Sequence, residues 1–182
     1  MSAESKHRKK SIKKGAKPEG EYEGETNKDG KREGIGKCVF AGGDVYEGEW
    51  KAGKMDGKGR YSMADGDVYF GTWKAGQKHG PGTYLYASGR ADVSFFSSGR
   101  DTGDGARWSP DRLMAWRLRD GELVEEIATD EAAAIAEKLG VEVPPEETSA
   151  TSPILRATGG VPVPSVAALT IADSVSSPEV VS

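Results

Sequence analysis

The chain has a single cysteine in 182 residues, Cys38, so no internal disulfide can form and a disulfide-stapled secreted module is not expected. Histidine is almost as scarce. His7 and His79 lie far apart, and with one Cys they cannot assemble a zinc site of the usual spacing. No apolar run approaches the ~18 residues of a membrane-spanning helix. The N-terminus lacks the apolar stretch of a secretory signal. A chain that begins Met1-Ser2 also lacks the glycine that N-myristoylation requires. An intracellular location is the expectation, cytoplasmic, cytoskeletal or at a membrane surface, with the nucleus an alternative.

Glycine, by contrast, is abundant at 25 residues, and it is periodic. Gly30, Gly53, Gly76 and Gly99 recur every 23 residues. So do Gly34, Gly57, Gly80 and Gly103, then Gly36, Gly59, Gly82 and Gly105, and the shorter series Gly43, Gly66 and Gly89. A fixed period of this length marks a stacked repeat. Tyr46-Glu47-Gly48-Glu49-Trp50 aligns without a gap on Tyr69-Phe70-Gly71-Thr72-Trp73, and Gly57-Lys58-Gly59-Arg60-Tyr61 on Gly80-Pro81-Gly82-Thr83-Tyr84. Alternation in a strand places Tyr46, Gly48 and Trp50 on one face, with Glu47 and Glu49 turned to water. Gly48 then leaves space for a ring from the adjacent hairpin. Lys51-Ala52-Gly53-Lys54 reads as a tight turn, and Asp65-Gly66 as the turn to the next hairpin. One hairpin is marginal in water, so the units must bury their aromatic faces together.

These residues resemble the MORN family (membrane occupation and recognition nexus), whose pattern is Tyr-x-Gly-x-Trp-x-x-Gly-x-x-x-Gly-x-Gly-x-Tyr. Tyr46–Tyr61 and Tyr69–Tyr84 match all seven named positions. The resemblance covers residues 22–109, three clear units and a degenerate fourth. The first unit has Thr26 near the Trp position and Cys38 in place of the last Tyr. The fourth has Asp92, Ser94, Phe96 and Arg107 at the Tyr, Gly, Trp and last Tyr positions. The expected fold is mainly β, an elongated single-layer array of stacked hairpins closed by a small hairpin-plus-helix cap. The structural repeat core is Tyr46, Gly48, Trp50, Tyr61, Tyr69, Gly71, Trp73 and Tyr84.

The rest of the chain divides around this array. Residues 1–21 read as a disordered basic arm. Residues 1–20 hold Lys6, Arg8, Lys9, Lys10, Lys13, Lys14 and Lys17 against two glutamates, +5 in a chain of net charge −4, which leaves −9 for the remainder. Residues 110–142 read as the capping module. In it Asp120-Gly121 turns between two apolar runs, with Met114, Trp116 and Leu118 on one face. A helix over 130–139 then has Thr129 as N-cap, Gly140 as C-terminal cap, and Ala132, Ile135, Ala136 and Leu139 as its apolar face. This module is expected to shield the last edge strand. Residues 143–182 hold six of the nine prolines and read as a disordered tail, with 161–171 apolar enough to dock transiently.

Candidate chemistry is sparse. Cys38 falls at a packed aromatic position and reads as a small buried hydrophobe. His79 reads as a hairpin turn residue. Gly34-Ile35-Gly36 and Gly57-Lys58-Gly59 lack the following helix of a phosphate-binding loop. Glu47 and Glu49 read as a solvated strand face. No catalytic residue, cofactor or metal site is expected.

The cations are more pointed. Lys51, Lys54, Lys58, Lys74 and Lys78, with Arg60, are expected to line one edge as a ladder. It serves either as a solubilising edge or as a contact for anionic headgroups or an acidic partner. The basic arm offers a second contact for anionic membranes. The arm has no interleaved aromatics, so specific nucleic-acid recognition is not expected.

The resemblance implies a non-enzymatic scaffold or adaptor that associates with a protein partner or a membrane surface, with phosphoinositide affinity and roles at cytoskeletal structures, cilia or flagella. Two alternatives stay open. One is an accessory or fragment of a MORN-containing phosphatidylinositol-phosphate kinase or SET-domain methyltransferase. The other is a nuclear or nucleic-acid-associated factor acting through the arm.

Overall fold

The computed structural model describes residues 20–144. The arm residues Lys6, Arg8, Lys9, Lys10, Lys13, Lys14 and Lys17, and the chain after Pro144, lie outside the described residues. Ten strands form one sheet in strict chain order, each antiparallel to the next. They are β1 (Gly20–Thr26), β2 (Arg32–Phe40), β3 (Val45–Lys51), β4 (Lys54–Ser62), β5 (Val68–Lys74), β6 (Gln77–Leu85), β7 (Ala91–Ser97), β8 (Arg100–Trp108), β9 (Ala115–Arg119) and β10 (Glu122–Ile127). Among the described residues one helix follows, α1 (Thr129–Leu139). The fold is mainly β and built of tandem hairpins, as the repeat predicts.

Two rows of residues explain why this sequence makes one continuous sheet. The first crosses the strands as Tyr22, Cys38, Tyr46, Tyr61, Tyr69 and Tyr84 in direct cross-strand register. The second, beside it, runs Gly24, Gly36, Gly48, Gly59, Gly71 and Gly82. The rings of Tyr22, Tyr46 and Tyr69 lie down across the glycines. A Cβ on Gly59 would stand 2.3 Å from the Tyr46 hydroxyl, and one on Gly82 2.4 Å from that of Tyr69. The expectation that Gly48 makes room for a ring from the adjacent hairpin is therefore corrected. The ring is Tyr46, from the same strand, which bends over Gly48 and Gly59 alike.

The neighbouring hairpin contributes the tryptophan instead. Trp50 packs edge-on against Tyr22 and Tyr46, Trp73 against Tyr46 and Tyr69, and Phe96 against Tyr69, with centroids 5.0–5.5 Å apart. Edge-to-face pairs at this separation each add about 0.5–1.5 kcal/mol beyond area burial. Each repeat is thereby tied to the one before it, and the rings Tyr46, Trp50, Tyr69, Trp73 and Tyr84 are all buried. The indole N–H of Trp50 donates to the Gly36 carbonyl at 3.0 Å, which satisfies the ring's only polar atom.

A bulge recurs in every repeat. Between Gly48 and Trp50 one residue of β3 faces three of β4, and Gly57 sits there at φ 106°. The Glu49 carboxylate folds over it and accepts from the Lys58 N–H at 2.7 Å, and the Tyr46 hydroxyl donates to the Glu49 carbonyl at 2.9 Å. Glu47, on the outer face, pairs with Lys37 at 3.1 Å and Arg60 at 3.8 Å. Neither acid is the free solvated group that alternation suggested.

Repetition outlasts the sequence pattern. The tyrosine row continues as Asp92, Arg107 and Trp116, and the glycine row as Ser94. Asp92 and Arg107 are tightly paired, and the Tyr86 hydroxyl donates to Asp92 at 2.9 Å. The β9–β10 hairpin turns at Asp120 and Gly121 with φ 50° and 81°, the same pair of values as Ala52 and Gly53 (49° and 83°). Arg112 stands 23 residues after Gly89, also at positive φ (59°), and its guanidinium donates to the carbonyls of Gly89 and Ser109. This hairpin is a fifth member of the sheet.

The hairpin covers the array's last strand, since β9 pairs with β8, but the helix does not join in shielding that edge. Ala132, Ile135, Ala136 and Leu139 pack on Val93, Ala106, Trp108 and Ala115, on the sheet face opposite the aromatic ladder. Small and apolar side chains there open a bed for a helix, whereas the same face of β2–β4 carries Lys37, Glu47 and Arg60. β10 remains at the edge. Thr129 is the first helical residue rather than the cap; Ala128 holds the cap position in extended conformation. Gly140 closes the helix in the left-handed region, as expected. Met114 lies in the loop before β9 and is exposed, so only Trp116 and Leu118 share the ladder face.

Candidate interaction surface

The turns between the strands of each repeat define one long edge of the sheet. Two positive φ values in succession are characteristic of a tight hairpin turn, for which Gly53 is suited and Ala52 is not. Successive turns are stapled together. The Gly53 N–H donates to the Arg32 carbonyl, Gly76 to Met55 and Gly99 to Lys78, at 2.8–2.9 Å. The Glu33 carboxylate accepts from the Ala52 N–H and that of Asp56 from the Ala75 N–H, both at 2.9 Å. These acids are held by backbone donors of the next repeat.

The tip cations Lys28, Lys31, Lys51, Lys54, Lys74 and Arg100 are exposed, and among the described residues they have no carboxylate at ion-pair distance. Lys51 and Lys54 are direct cross-strand partners. Like charges opposite one another disfavour the sheet, so the pair is held against its own repulsion. Two strands per repeat space the units by about 10 Å. Lys31, Lys54 and Arg100 share one 23-residue series, and Lys28, Lys51 and Lys74 another. Sequence reasoning missed Lys28, Lys31 and Arg100, although the period itself could have found them.

Not all of the expected ladder lies on this edge. Lys58 is exposed on the outer face beside Thr72, and Arg60 stacks over Phe70 at 5.5 Å on that face. Lys78 is a clearer correction. It is 5% exposed, on the ladder face opposite Trp73, with its ammonium 4.4 Å from the Tyr84 centroid and 4.6 Å from that of Tyr69. It occupies the slot that Arg32 and Met55 fill in earlier repeats. Arg32 likewise lies 4.9 Å from both Tyr22 and Trp50. A long apolar stem with a cationic head suits rings whose faces are electron-rich.

The other motifs resolve into structural roles. Cys38 is fully buried in the tyrosine row, and burial pushes its thiol up, away from the thiolate a nucleophile needs. His79 lies in β6 rather than in a turn, and its carbonyl accepts from the Thr72 hydroxyl. Gly34 and Gly57 face the carboxylates of Glu25 and Glu49, which would repel a phosphate. Among the described residues no helix is long and apolar enough to cross a membrane.

A search of curated proteins found no match to the chain. The family model of the MORN repeat matches residues 28–45, 46–68 and 69–89. These three consecutive matches cover the hairpins whose tyrosine, glycine and tryptophan rows build the ladder. They end where Asp92, Ser94 and Phe96 replace those residues, while the sheet continues. On the matched residues and on this geometry, residues 28–89 are three consecutive MORN repeats.

Proposed function

We propose that this protein is a non-enzymatic scaffold or adaptor, and that the hairpin-tip edge is the surface through which it associates with a protein partner. The row of exposed cations Lys28, Lys31, Lys51, Lys54, Lys74 and Arg100, without ion pairs among the described residues, carries this reading. Weak contacts repeated at about 10 Å intervals reinforce one another when one partner spans several units. The partner this edge suits is acidic and extended, because a line of point charges complements a line better than a pocket. An intracellular site of action goes with this reading. The carboxylates that could serve chemistry support the non-enzymatic part. Glu33, Glu49, Asp56 and Asp67 are each bonded to a backbone N–H that fixes a turn or bulge.

A second reading, association with an anionic membrane surface, draws on the same cations and on the basic arm. One experiment separates the two. Lys51→Glu, Lys54→Glu and Lys74→Glu are combined in the full-length protein, which is used for proximity labelling in cells and for sedimentation with phosphatidylserine vesicles. Loss of the labelled neighbours with unchanged sedimentation supports the protein partner. Loss of sedimentation with retained neighbours supports the membrane. If both survive the triple substitution, the edge is not the contact surface.

A further inference from the structure

We propose that the outer edge of β10 accepts an added strand from a partner whose extended segment carries lysine or arginine around an aliphatic residue. Among the described residues no strand pairs with this edge. Along the sheet each strand is covered by the next, so that Leu118 is fully buried, yet its cross-strand partner Leu123 is 46% exposed and Val124 52%. Leu123 lies on the ladder face, where the next strand would cover it. The edge is acidic throughout: Glu122, Glu125 and Glu126 are exposed, and only Glu125 among them is held, by Arg117.

Charge decides which occupant fits. The opposite edge, β1, carries Glu21, Glu23 and Glu25. Joining β10 of one copy to β1 or to β10 of another would set carboxylates against carboxylates, which directly opposed strands do not favour. The charge pattern thus opposes end-to-end growth of the sheet by copies of itself. It favours a foreign strand of opposite sign, bound through main-chain hydrogen bonds with side chains giving selectivity. Lysine or arginine beside Glu122 and Glu125, which share the outer face, with an aliphatic residue over Leu123 on the ladder face, completes that pattern. This surface is distinct from the hairpin-tip edge, whose cations suit an acidic partner.

The test uses the full-length protein and three labelled heptapeptides. One alternates valine with lysine and arginine, one alternates valine with glutamate, and one is the basic peptide with alternate amides N-methylated. Strand addition predicts saturable binding of the first alone, with new amide-exchange protection over 122–127. Glu122→Lys with Glu125→Lys, both exposed on the outer face, would weaken it at least tenfold. Equal binding of the N-methylated peptide shows mere electrostatic adsorption and overturns the proposal. So does protection placed at β1, or no binding of the basic peptide. Because the tip lysines are untouched in the double variant, its outcome does not depend on the proposed function.

Discussion

The ring of Tyr46 lies across Gly59, close enough that a methyl carbon on Gly59 would stand 2.3 Å from the tyrosine hydroxyl and 2.5 Å from two ring carbons. Gly59 is not at positive φ, so the demand for glycine there is purely steric.

Gly59→Ala is therefore expected to destabilise the sheet by about 3 kcal/mol, the upper part of the overpacking range. Urea unfolding measures it. Tyr46→Ala in that background should cost less than in the wild type, because the two changes share one clash. Simple additivity of the two losses would contradict the steric account.

Turn geometry makes the opposite prediction at Ala52 and Ala75, which sit at φ 49° and 50° before Gly53 and Gly76. Asparagine tolerates this region better than alanine. Ala52→Asn and Ala75→Asn should each stabilise by about 0.5–1 kcal/mol, seen as a higher Tm. A fall in Tm would mean that the turn is held by other forces.

The tyrosine row sets an alkaline limit. Burial raises the phenol pKa of Tyr46, Tyr61, Tyr69, Tyr84 and Tyr86 above its ordinary value, and carboxylates beside Tyr61 and Tyr84 add to it. Raised folded-state values favour the protonated form in the fold. The stabilisation is complete below the unfolded value near pH 10 and is lost as pH rises above it. Absorbance at 295 nm should show these tyrosines ionising together, coincident with loss of β circular dichroism. Gradual ionisation with the sheet intact would refute the prediction.

Arg107 and Asp92 replace two tyrosine-row positions with one ion pair, Nε–Oδ1 2.7 Å, in which Asp92 is completely buried. Removing one partner strands the other. Arg107→Ala should cost about 3–5 kcal/mol, and Asp92→Leu with Arg107→Met should recover most of it by equilibrium unfolding. Equal losses in the single and double variants would show that the pair is not the source of the cost.

Much of this site was legible in the chain. Turns, strands and the ring-bearing face were readable because each depends on a few neighbouring residues, and the period repeats the same local instruction. Even Lys78 could have been placed. It alternates with Gly80, Gly82 and Tyr84 and stands 23 residues after Met55, so strand parity assigns it to the ladder face. Its charge drew it to the surface on paper, while its stem and the electron-rich rings hold it inside. The fourth and fifth hairpins were harder to read because Asp92, Arg107 and Arg112 keep the backbone of the pattern while changing its chemistry.

By itself the sequence determined the repeat, the alternation of faces and the glycines the turns require, since these are matters of backbone sterics over a few residues. The tertiary structure alone decided which charges are free. Glu33 reaches Ala52 and Asp56 reaches Ala75 across 19 residues, so these acids bond to the backbone of the next turn and, among the described residues, pair with no tip lysine. It also decided that α1 covers a face and leaves the β10 edge bare. Both outcomes rest on pairings between distant segments, whose partners no local pattern names.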